Sequence, residues 1–304
     1  MKLPTRLTLS VSSLIVACLI FLSFTSCTTM PKQIPNKLTV KSTGETFYVD
    51  TIISARTGQP VTFEAMLEDL AGAHVVYVGE THTNSHHHLI QKRMIEALAA
   101  QYPELTVGME MFDYRYDPVL AEWSAGQLDR EAFIKKTHWY VHRSGWGHNF
   151  EFYAPIFEVI QDEDLQLVGL NVPGWIPAKI SAAGLENLLP DERKLLAEQI
   201  DTSNEDHRAY VEAVFNENAH HQMTSFDYFY EAQCAWEDTM AESIARKLGQ
   251  NPMVVVIGNG HIQYKYGVPN RAFQRNQASF RTVYLASVGS EVDLDVADYI
   301  WVTP

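Results

Sequence analysis

Cysteine is scarce in this sequence, with three residues among 304. Cys18 and Cys27 both fall in the N-terminal segment, which leaves Cys234 as the one cysteine in the rest of the chain. A disulfide bond within the folded domain is therefore excluded. Because Cys234 lies on a predicted helix, we expect it to be a buried thiol with a packing role.

Basic residues are also in short supply, since 23 Lys and Arg stand against 37 Asp and Glu, for a net charge of −14. A chain this acidic is repelled by a phosphate backbone, which argues against nucleic acid as a partner. The sequence contains no serine-nucleophile motif, so acyl-enzyme chemistry is not indicated. The 46% hydrophobic composition is enough for a substantial core in a globular chain.

The first 26 residues lack acidic residues and resemble the signal peptide of a bacterial lipoprotein. Lys2 and Arg6 precede an uncharged, mostly apolar run over residues 7–24, and Ser26 stands before Cys27. The pattern predicts cleavage before Cys27, lipid on its thiol, and a mature net charge of −16, because two basic residues are removed. Cys18 also fits locally, but cleavage there would leave apolar residues 19–24 on the mature protein. An uncleaved anchor helix is the alternative.

The residues after Cys27 predict where the protein is anchored and where its folded domain begins. Thr28 is not acidic, which by lipoprotein sorting rules indicates the bacterial outer membrane. We predict a tether over residues 27–44, which contain Pro31 and Pro35. The folded domain is then predicted to span residues 45–304.

Four short apolar runs predict strands that are buried on both faces, as in parallel sheets. Helical stretches alternate with these runs, which indicates an α/β fold with a mostly parallel central sheet flanked by helices. A helical cap is predicted at about residues 185–248. Two further runs, residues 280–286 and 298–302, predict a strand and a terminal edge strand. The four apolar runs are residues 74–78, 105–109, 165–170 and 252–257.

Polar side chains follow each of these four strands. In chain order they are Glu80 and His82, Glu110 and Asp113, Asn171, and His261. Because the carboxyl ends of parallel strands meet at one edge of the sheet, we expect two Glu and two His in one crevice. Glu80, His82, Glu110 and His261 are therefore candidate ligands of a divalent metal. The alternative is that these residues only cap helices and satisfy loop amides.

A run of three histidines, His86 to His88, follows at the start of a predicted helix. His82 and His86 are four residues apart, the spacing of two-histidine metal sites on a helix. However, three adjacent histidines point in three directions on a helix, so at least one must face solvent. A polar helix start near the edge of the site is the favoured interpretation.

Four ordered motifs connect this chain to a known family. They are Gly79-Glu80-Thr81-His82, Gly108-Met109-Glu110-Met111-Phe112-Asp113, Leu170-Asn171-Val172-Pro173, and Gly258-Asn259-Gly260-His261 with Tyr266-Gly267-Val268-Pro269. Together they resemble the ChaN family of haem-binding lipoproteins, in a superfamily with the Tiki metalloproteases and the erythromycin esterases. The resemblance covers residues 50–290 and implies an α/β fold, an outer-membrane lipid anchor and a role in iron acquisition.

ChaN-type proteins bind haem at a dimer interface, two haems face to face, with a tyrosine on the iron. The resemblance therefore implies ferric b-type haem and a homodimer, with an outer-membrane haem receptor as a further partner. No motif identifies the tyrosine. Tyrosinate favours Fe(III) over Fe(II), and tyrosines with nearby histidines on the cap are the preferred candidates. These candidates are Tyr210 and Tyr228 with His207, His220 and His221, and Tyr140, Tyr153 and Tyr230 stay open.

An enzyme is the alternative to a haem-binding protein, because hydrolases of the same superfamily use Glu and His at these strand ends. Glu80 or Glu110 would act as the general base on a water molecule. His82 and His261 would bind a metal or polarise a carbonyl group. The residues alone leave both functions open, and the resemblance favours the binding protein.

Overall fold

The computed structural model describes residues 36–141, 145–217 and 225–304. The strands are β1 Lys37–Val40, β2 Thr46–Tyr48, β3 Ile52–Ser54, β4 Pro60–Val61, β5 Val75–Glu80, β6 Thr106–Asp113, β7 Gln166–Asn171, β8 Met253–Gly258, β9 Phe280–Ser287, β10 Glu291–Val292 and β11 Tyr299–Thr303. The α-helices are α1 Phe63–Leu70, α2 Ser85–Ala99, α3 Asp117–Ser124, α4 Arg130–Lys136, α5 Phe150–Asp162, α6 Trp175–Ala183, α7 Pro190–Arg193, α8 Glu205–Glu217, α9 Phe226–Lys247 and α10 Val268–Asn276.

The central sheet has eight strands in the order β4-β3-β11-β9-β5-β8-β6-β7. The six strands from β11 to β7 are parallel, and β3 and β4 pair antiparallel at one side. Every residue of β5, β6 and β8 is buried, because helices cover both faces of the sheet. The predicted fold class, α/β with a mostly parallel central sheet, is confirmed.

The prediction of a terminal edge strand near the C-terminus is wrong. β11 lies between β9 and β3, and it pairs with both. All five of its residues are buried, because both faces of the strand are covered. The short strand β3 pairs with its outer edge, and an apolar run alone does not show whether a strand has a neighbour on both sides.

A second, three-stranded sheet has the order β10-β1-β2. β1 lies inside the segment that was predicted to be a tether, residues 27–44. Its side chains alternate, with Leu38 and Val40 buried in a small core that also contains Ile53 and Ile300. This alternation is the pattern of a strand with one covered face, so ordered structure begins before residue 45.

Helix α8 and the first part of α9 line a cavity at the carboxyl ends of β5, β6 and β8, within the predicted cap. Cys234 lies on α9 and is buried, as predicted. Met240, Ala241 and Ile244 on the same helix pack against β8 residues such as Val255. Within the three described ranges, no helix is both long and apolar enough to cross a membrane.

Candidate functional site

Three adjacent strands bring the predicted carboxylates together. β8 lies between β5 and β6, so Glu80 at the end of β5 and Glu110 on β6 flank the end of β8. The backbone N–H of Gly258, the last residue of β8, donates to Glu110 Oε2 at 2.6 Å. A Cβ atom on Gly258 would lie 2.9 Å from His82 Cε1 and 3.3 Å from Glu110 Oε2. Glycine at this position therefore allows His82 and Glu110 to approach the same strand end.

The Glu80 carboxylate is buried among side chains that can donate to it. His82 Nδ1–H donates to Oε1 at 2.6 Å, and the Tyr153 hydroxyl of α5 donates to the same oxygen at 2.7 Å. His88 Nε2 lies 2.9 Å from the other oxygen. Burial alone would raise the pKa of Glu80, but His82 and His88 outweigh it and lower that pKa to about 2. Glu80 is thus ionised and occupied.

His82 is held between Glu80 and an aromatic side chain. Its Nδ1 is committed to Glu80, so Nε2 remains for the cavity that His82 lines. The Trp146 ring packs edge-on against it at 4.7 Å, and Trp146 Nε1 donates to the Tyr153 hydroxyl at 3.0 Å. Burial lowers the pKa of His82, but the hydrogen bond to Glu80 and the charge of Glu110 outweigh this effect and raise it. A carboxylate that orients an imidazole is a common arrangement in catalytic and metal sites.

His261 lies between two carboxylates. Nε2 is 3.3 Å from Glu110 Oε1, and Nδ1 is 3.1 Å from Glu237 Oε1. Burial lowers the pKa of His261, but the charges of Glu110 and Glu237 dominate and raise it to about 10. His261 is therefore a fixed cation in the floor of the site at neutral pH, and its own proton is not readily transferred.

Glu237 is a site residue that the sequence interpretation missed. It lies on the buried side of α9 and is fully inaccessible to solvent. Its Oε1 also accepts from Gln233 Nε2 at 2.8 Å. The available signal was a carboxylate among apolar residues at helical spacing, with Cys234 and Ala241 on the same buried side. A buried charge without partners would be costly, so such a position predicts a polar cluster.

The four predicted residues and the cap share one cavity of about 1030 Å³. Glu80, His82, Glu110 and His261 form its floor, and α8 and α9 form the opposite wall. Tyr210 lies in that wall, where its hydroxyl donates to Gly260 O at a long 3.4 Å. Burial raises the pKa of Tyr210. Apolar and aromatic residues supply much of the remaining surface, namely Val211, Val214, Phe229, Trp236 and Tyr284.

Two other haem-ligand candidates, His207 and Tyr228, do not line this cavity. His207 is buried behind the wall, and it contacts Glu237 and Arg271 instead of lining the cavity. Tyr228 is also not among the lining residues, and its ring packs over Gly184, where a Cβ atom would lie 2.8 Å from Tyr228 Cε1. His220, His221 and the predicted lipidation site Cys27 lie outside the described residues.

Two of the polar strand ends are structural and do not point into the crevice. Asp113 accepts from the backbone N–H of Arg115 and forms a bidentate pair with its guanidinium. Asn171 donates to Glu110 O and accepts from the N–H of Val172, each at 2.8 Å. For these two residues the alternative of capping and loop amides is the one that holds.

The histidine run has three separate environments. His86 is exposed, whereas His88 is buried beside Glu80. His87 Nδ1 accepts from the backbone N–H of Thr81 at 2.8 Å, and Nε2 lies 2.9 Å from Thr303 Oγ1. Burial lowers the pKa of His87 to about 4. His87 therefore remains neutral and fixes the backbone between Glu80 and His82.

The predicted metal ligands pair with one another and with nearby side chains. Among the residues that the structure describes, no group of three or more His, Cys, Asp or Glu is placed to hold a metal ion. Glu80 Oε1 accepts two hydrogen bonds, Glu80 Oε2 lies 2.9 Å from His88 Nε2, and both His261 nitrogens face carboxylates. A metal would have to displace these hydrogens, because the ligand atoms must be deprotonated.

Comparison with known proteins identifies the family. A family model described as haem-binding uptake, Tiki superfamily, ChaN matches residues 66–272, more than half of the chain. A ChaN structure from Campylobacter jejuni, described as showing cofacial haem binding, is 18% identical with a TM-score of 0.66. The alignment covers 82% of this chain and 95% of that one, and at this identity it shows a shared fold.

Other comparisons are more distant. An erythromycin esterase mutant in its open conformation is 13% identical, with a TM-score of 0.46 over 79% of this chain and 78% of its own. No curated protein matches the sequence. The family match covers the Glu80, Glu110 and Tyr210 segments as well as His261, and on this evidence the chain belongs to the ChaN family of haem-binding uptake proteins in the Tiki superfamily.

Proposed function

We propose that this protein is a membrane-anchored haem-binding lipoprotein that takes part in haem or iron acquisition. Family membership supports haem as the ligand. The observation that carries the proposal is the position of Tyr210, whose phenol lines a cavity of about 1030 Å³ and has one long hydrogen bond. The volume is at the upper end of the range for ligand pockets, about 300–1,000 Å³.

The residues of the cap wall fit a large flat macrocycle. Val211, Phe229 and Trp236 present apolar and aromatic faces to the cavity, as a porphyrin requires. Tyr210 would hold the iron through its phenol oxygen, and tyrosinate favours ferric iron. Because burial raises the pKa of Tyr210, the phenol is neutral in the protein alone, and ligation would release its proton.

The proposed dimer, haem type and membrane anchor rest on the family resemblance and on the sequence. Cofacial haem binding is described for the Campylobacter jejuni protein, and we extend it to a homodimer of this chain with ferric b-type haem. Residues 1–26 would be removed as a signal peptide, and lipid on Cys27 would anchor the protein in the outer membrane. The domain that follows the tether would store haem or pass it to an outer-membrane receptor.

A metal-dependent envelope hydrolase is the second candidate. The described residues place no metal-binding group in the floor, but two of the floor atoms favour general-base chemistry on water. Among the described residues, the buried Glu110 Oε1 receives no well-directed hydrogen bond, and His82, which Glu80 holds through Nδ1, has no partner at Nε2. His82 oriented by Glu80 could take a proton from water, with Glu110 beside it. Glu80 itself is a poor general base, because its low pKa and its donors keep it ionised and occupied.

A hemin titration of the full chain in mild detergent distinguishes the two candidates. We expect a saturable Soret shift at about one haem per chain, together with a monomer-to-dimer change on a sizing column. The broad spectrum of nonspecific hemin, without a change in size, would contradict the haem-binding proposal. Peptide or ester hydrolysis that is lost with chelator and with His82→Ala would then support the hydrolase.

A further inference from the structure

Helix α8 is attached to the rest of the protein by few buried side chains. Its buried residues are His207 and Val211, both in its first half. The adjacent helix α9, by contrast, is buried along its length from Tyr230 to Ile244. Elements with little buried surface open at the lowest cost in free energy. In the described chain, no side chain of α8 beyond Val211 is buried.

The start of α8 is firmly anchored. The backbone N–H of Asp201 donates to Asp238 Oδ2 at 2.8 Å, and Arg271 Nη1 donates to Asp201 O at 2.9 Å. The Tyr230 hydroxyl donates to Asn204 O at 3.1 Å, and Asn204 Oδ1 accepts from the N–H of His207. These contacts fix the point at which the chain enters the helix.

Beyond this anchor, the buried Glu237 carboxylate lies between the helix and the floor. Glu237 Oε1 lies 3.1 Å from His261 Nδ1 in the floor, and Glu237 Oε2 lies 3.0 Å from His207 Nε2 on α8. Arg271 Nη2 donates to His207 Nδ1 at 3.2 Å, so Nδ1 is the acceptor and Nε2 is the ring nitrogen that faces Glu237. The side chains of Glu237, His207 and His261 are almost fully buried.

Apart from His207 and Val211, the residues of α8 make weaker contacts. The Phe215 ring lies 5.5 Å from Phe226 and 5.3 Å from Phe229, and all three rings are partly exposed or at the surface. Arg208 pairs with Asp227 in the open, where both side chains are solvated, and such pairs contribute little. Tyr210 has the long bond to Gly260 O described above.

We propose that Glu237 is a positioning residue that holds α8, and with it Tyr210, at a fixed distance from the Glu110–His261 floor. His207 is its contact on the helix, one turn before Tyr210. With this contact in place α8 keeps its position over the floor, and without it α8 opens from Tyr210 onward. The part of this inference that concerns haem rests on the proposed function, and the part that concerns α8 does not.

Hydrogen exchange of the full chain in detergent, without haem, tests the helix directly. In Glu237→Gln and in His207→Asn, amides from Tyr210 to Glu217 are expected to exchange at least about tenfold faster than in the wild type. His207→Gln should restore protection, because its amide nitrogen reaches the position of Nε2. Glu242→Gln, the same change on an outward part of α9 where Glu242 accepts from Glu198 N–H, is the matched control.

The outcomes separate cleanly. Unchanged exchange of α8 in both variants, or an equal increase with Glu242→Gln, would overturn the inference. If Glu237→Gln does not fold, His207→Asn against His207→Gln decides the question alone. A hemin titration of the same proteins should show affinity at least about tenfold weaker in His207→Asn and near wild type in His207→Gln. Absence of hemin binding by the wild type would refute the proposed function and leave the exchange result intact.

Discussion

Glu80 shows how neighbours decide the role of a carboxylate. Two hydrogen bonds to one oxygen, from His82 and Tyr153, and the close His88 at the other keep it ionised. A carboxylate in this state accepts a proton poorly, so its role is to orient His82. The sequence placed Glu80 and His82 together at a strand end. Tyr153 is 73 residues away from Glu80, and nothing in the local pattern indicated that it would be a partner.

The low pKa of Glu80 predicts a stability that depends on pH. The pKa of the Glu80 carboxyl is about 2 in the folded protein, and a glutamate in an unfolded chain has a pKa of about 4.3. The ionised carboxylate therefore stabilises the fold at pH values above about 4.3, and this stabilisation is lost as the pH falls toward 2. We expect Glu80→Gln to lower the free energy of unfolding by about 3 kcal/mol at pH 7. The difference from wild type should shrink between about pH 5 and pH 2.

Urea unfolding of both proteins at pH 7, 5 and 3 measures this difference. Glu96→Gln is the control, because Glu96 pairs with Lys92 on the exposed side of α2, and we expect a change within about 0.5 kcal/mol at every pH. A penalty for Glu80→Gln that stays constant from pH 7 to pH 3 would show that the charge of Glu80 does not contribute.

Glycines occur at the strand ends because neighbouring strands, helices and side chains approach the backbone closely there. A Cβ atom on Gly79 would lie 2.1 Å from Asn259 Oδ1, and one on Gly267 would lie 2.7 Å from Glu237 Oε1. With Gly258, these positions let β5, β8 and the start of α10 meet around the polar side chains. The glycines in the Gly79–His82, Gly258–His261 and Tyr266–Pro269 motifs are therefore part of the site.

Gly258→Ala tests this role. The added methyl group would meet His82 and Glu110 at the distances given above, and we expect it to destabilise the protein by about 1–3 kcal/mol. It should also move the His82 ring, which NMR of the imidazole detects. Gly249→Ala is the matched control, because nothing lies within 4 Å of its added Cβ. Equal stability of the two variants would contradict a packed role for Gly258.

At the same scale, the sequence indicated some elements and missed others for identifiable reasons. The apolar runs of β5, β6, β7 and β8 follow from local patterns, because these strands are buried over nearly their whole length. β1 is four residues long and pairs with the nearby β2 on one side and with β10, close to the other end of the chain, on the other. Alternation over only four residues is too short to distinguish a strand from a tether.

For the whole molecule, the main consequence of the fold is that cap and sheet share one cavity. Sequence patterns alone indicate two separate sites, one at the cap tyrosines and one at the Glu/His crevice. Tyr210 and His261 are instead linked through the Gly260 carbonyl and line the same space. The order of strands in the sheet and the return of the cap onto it create this arrangement, and neither can be deduced from periodicity.

Because the cavity is shared, substitutions of floor residues do not separate haem binding from hydrolysis. Glu80 and His261 lie in the same cavity as Tyr210, so altering them would disturb haem binding as well as any hydrolytic chemistry. A substitution of Tyr210 tests haem binding more specifically, because its side chain lies in the cap wall and not among the Glu and His residues of the floor. Tyr228 is the natural comparison, since it is also a cap tyrosine but packs over Gly184 outside the cavity.

The most direct test of haem binding through Tyr210 is the absorbance spectrum of hemin mixed with wild type, Tyr210→Phe and Tyr228→Phe. We expect tyrosinate-to-iron charge-transfer bands in the wild type and in Tyr228→Phe. Tyr210→Phe should lose these bands and bind hemin at least about tenfold more weakly, while it keeps a wild-type circular dichroism spectrum. Charge-transfer bands that persist in Tyr210→Phe would contradict the assignment of Tyr210 as the iron ligand.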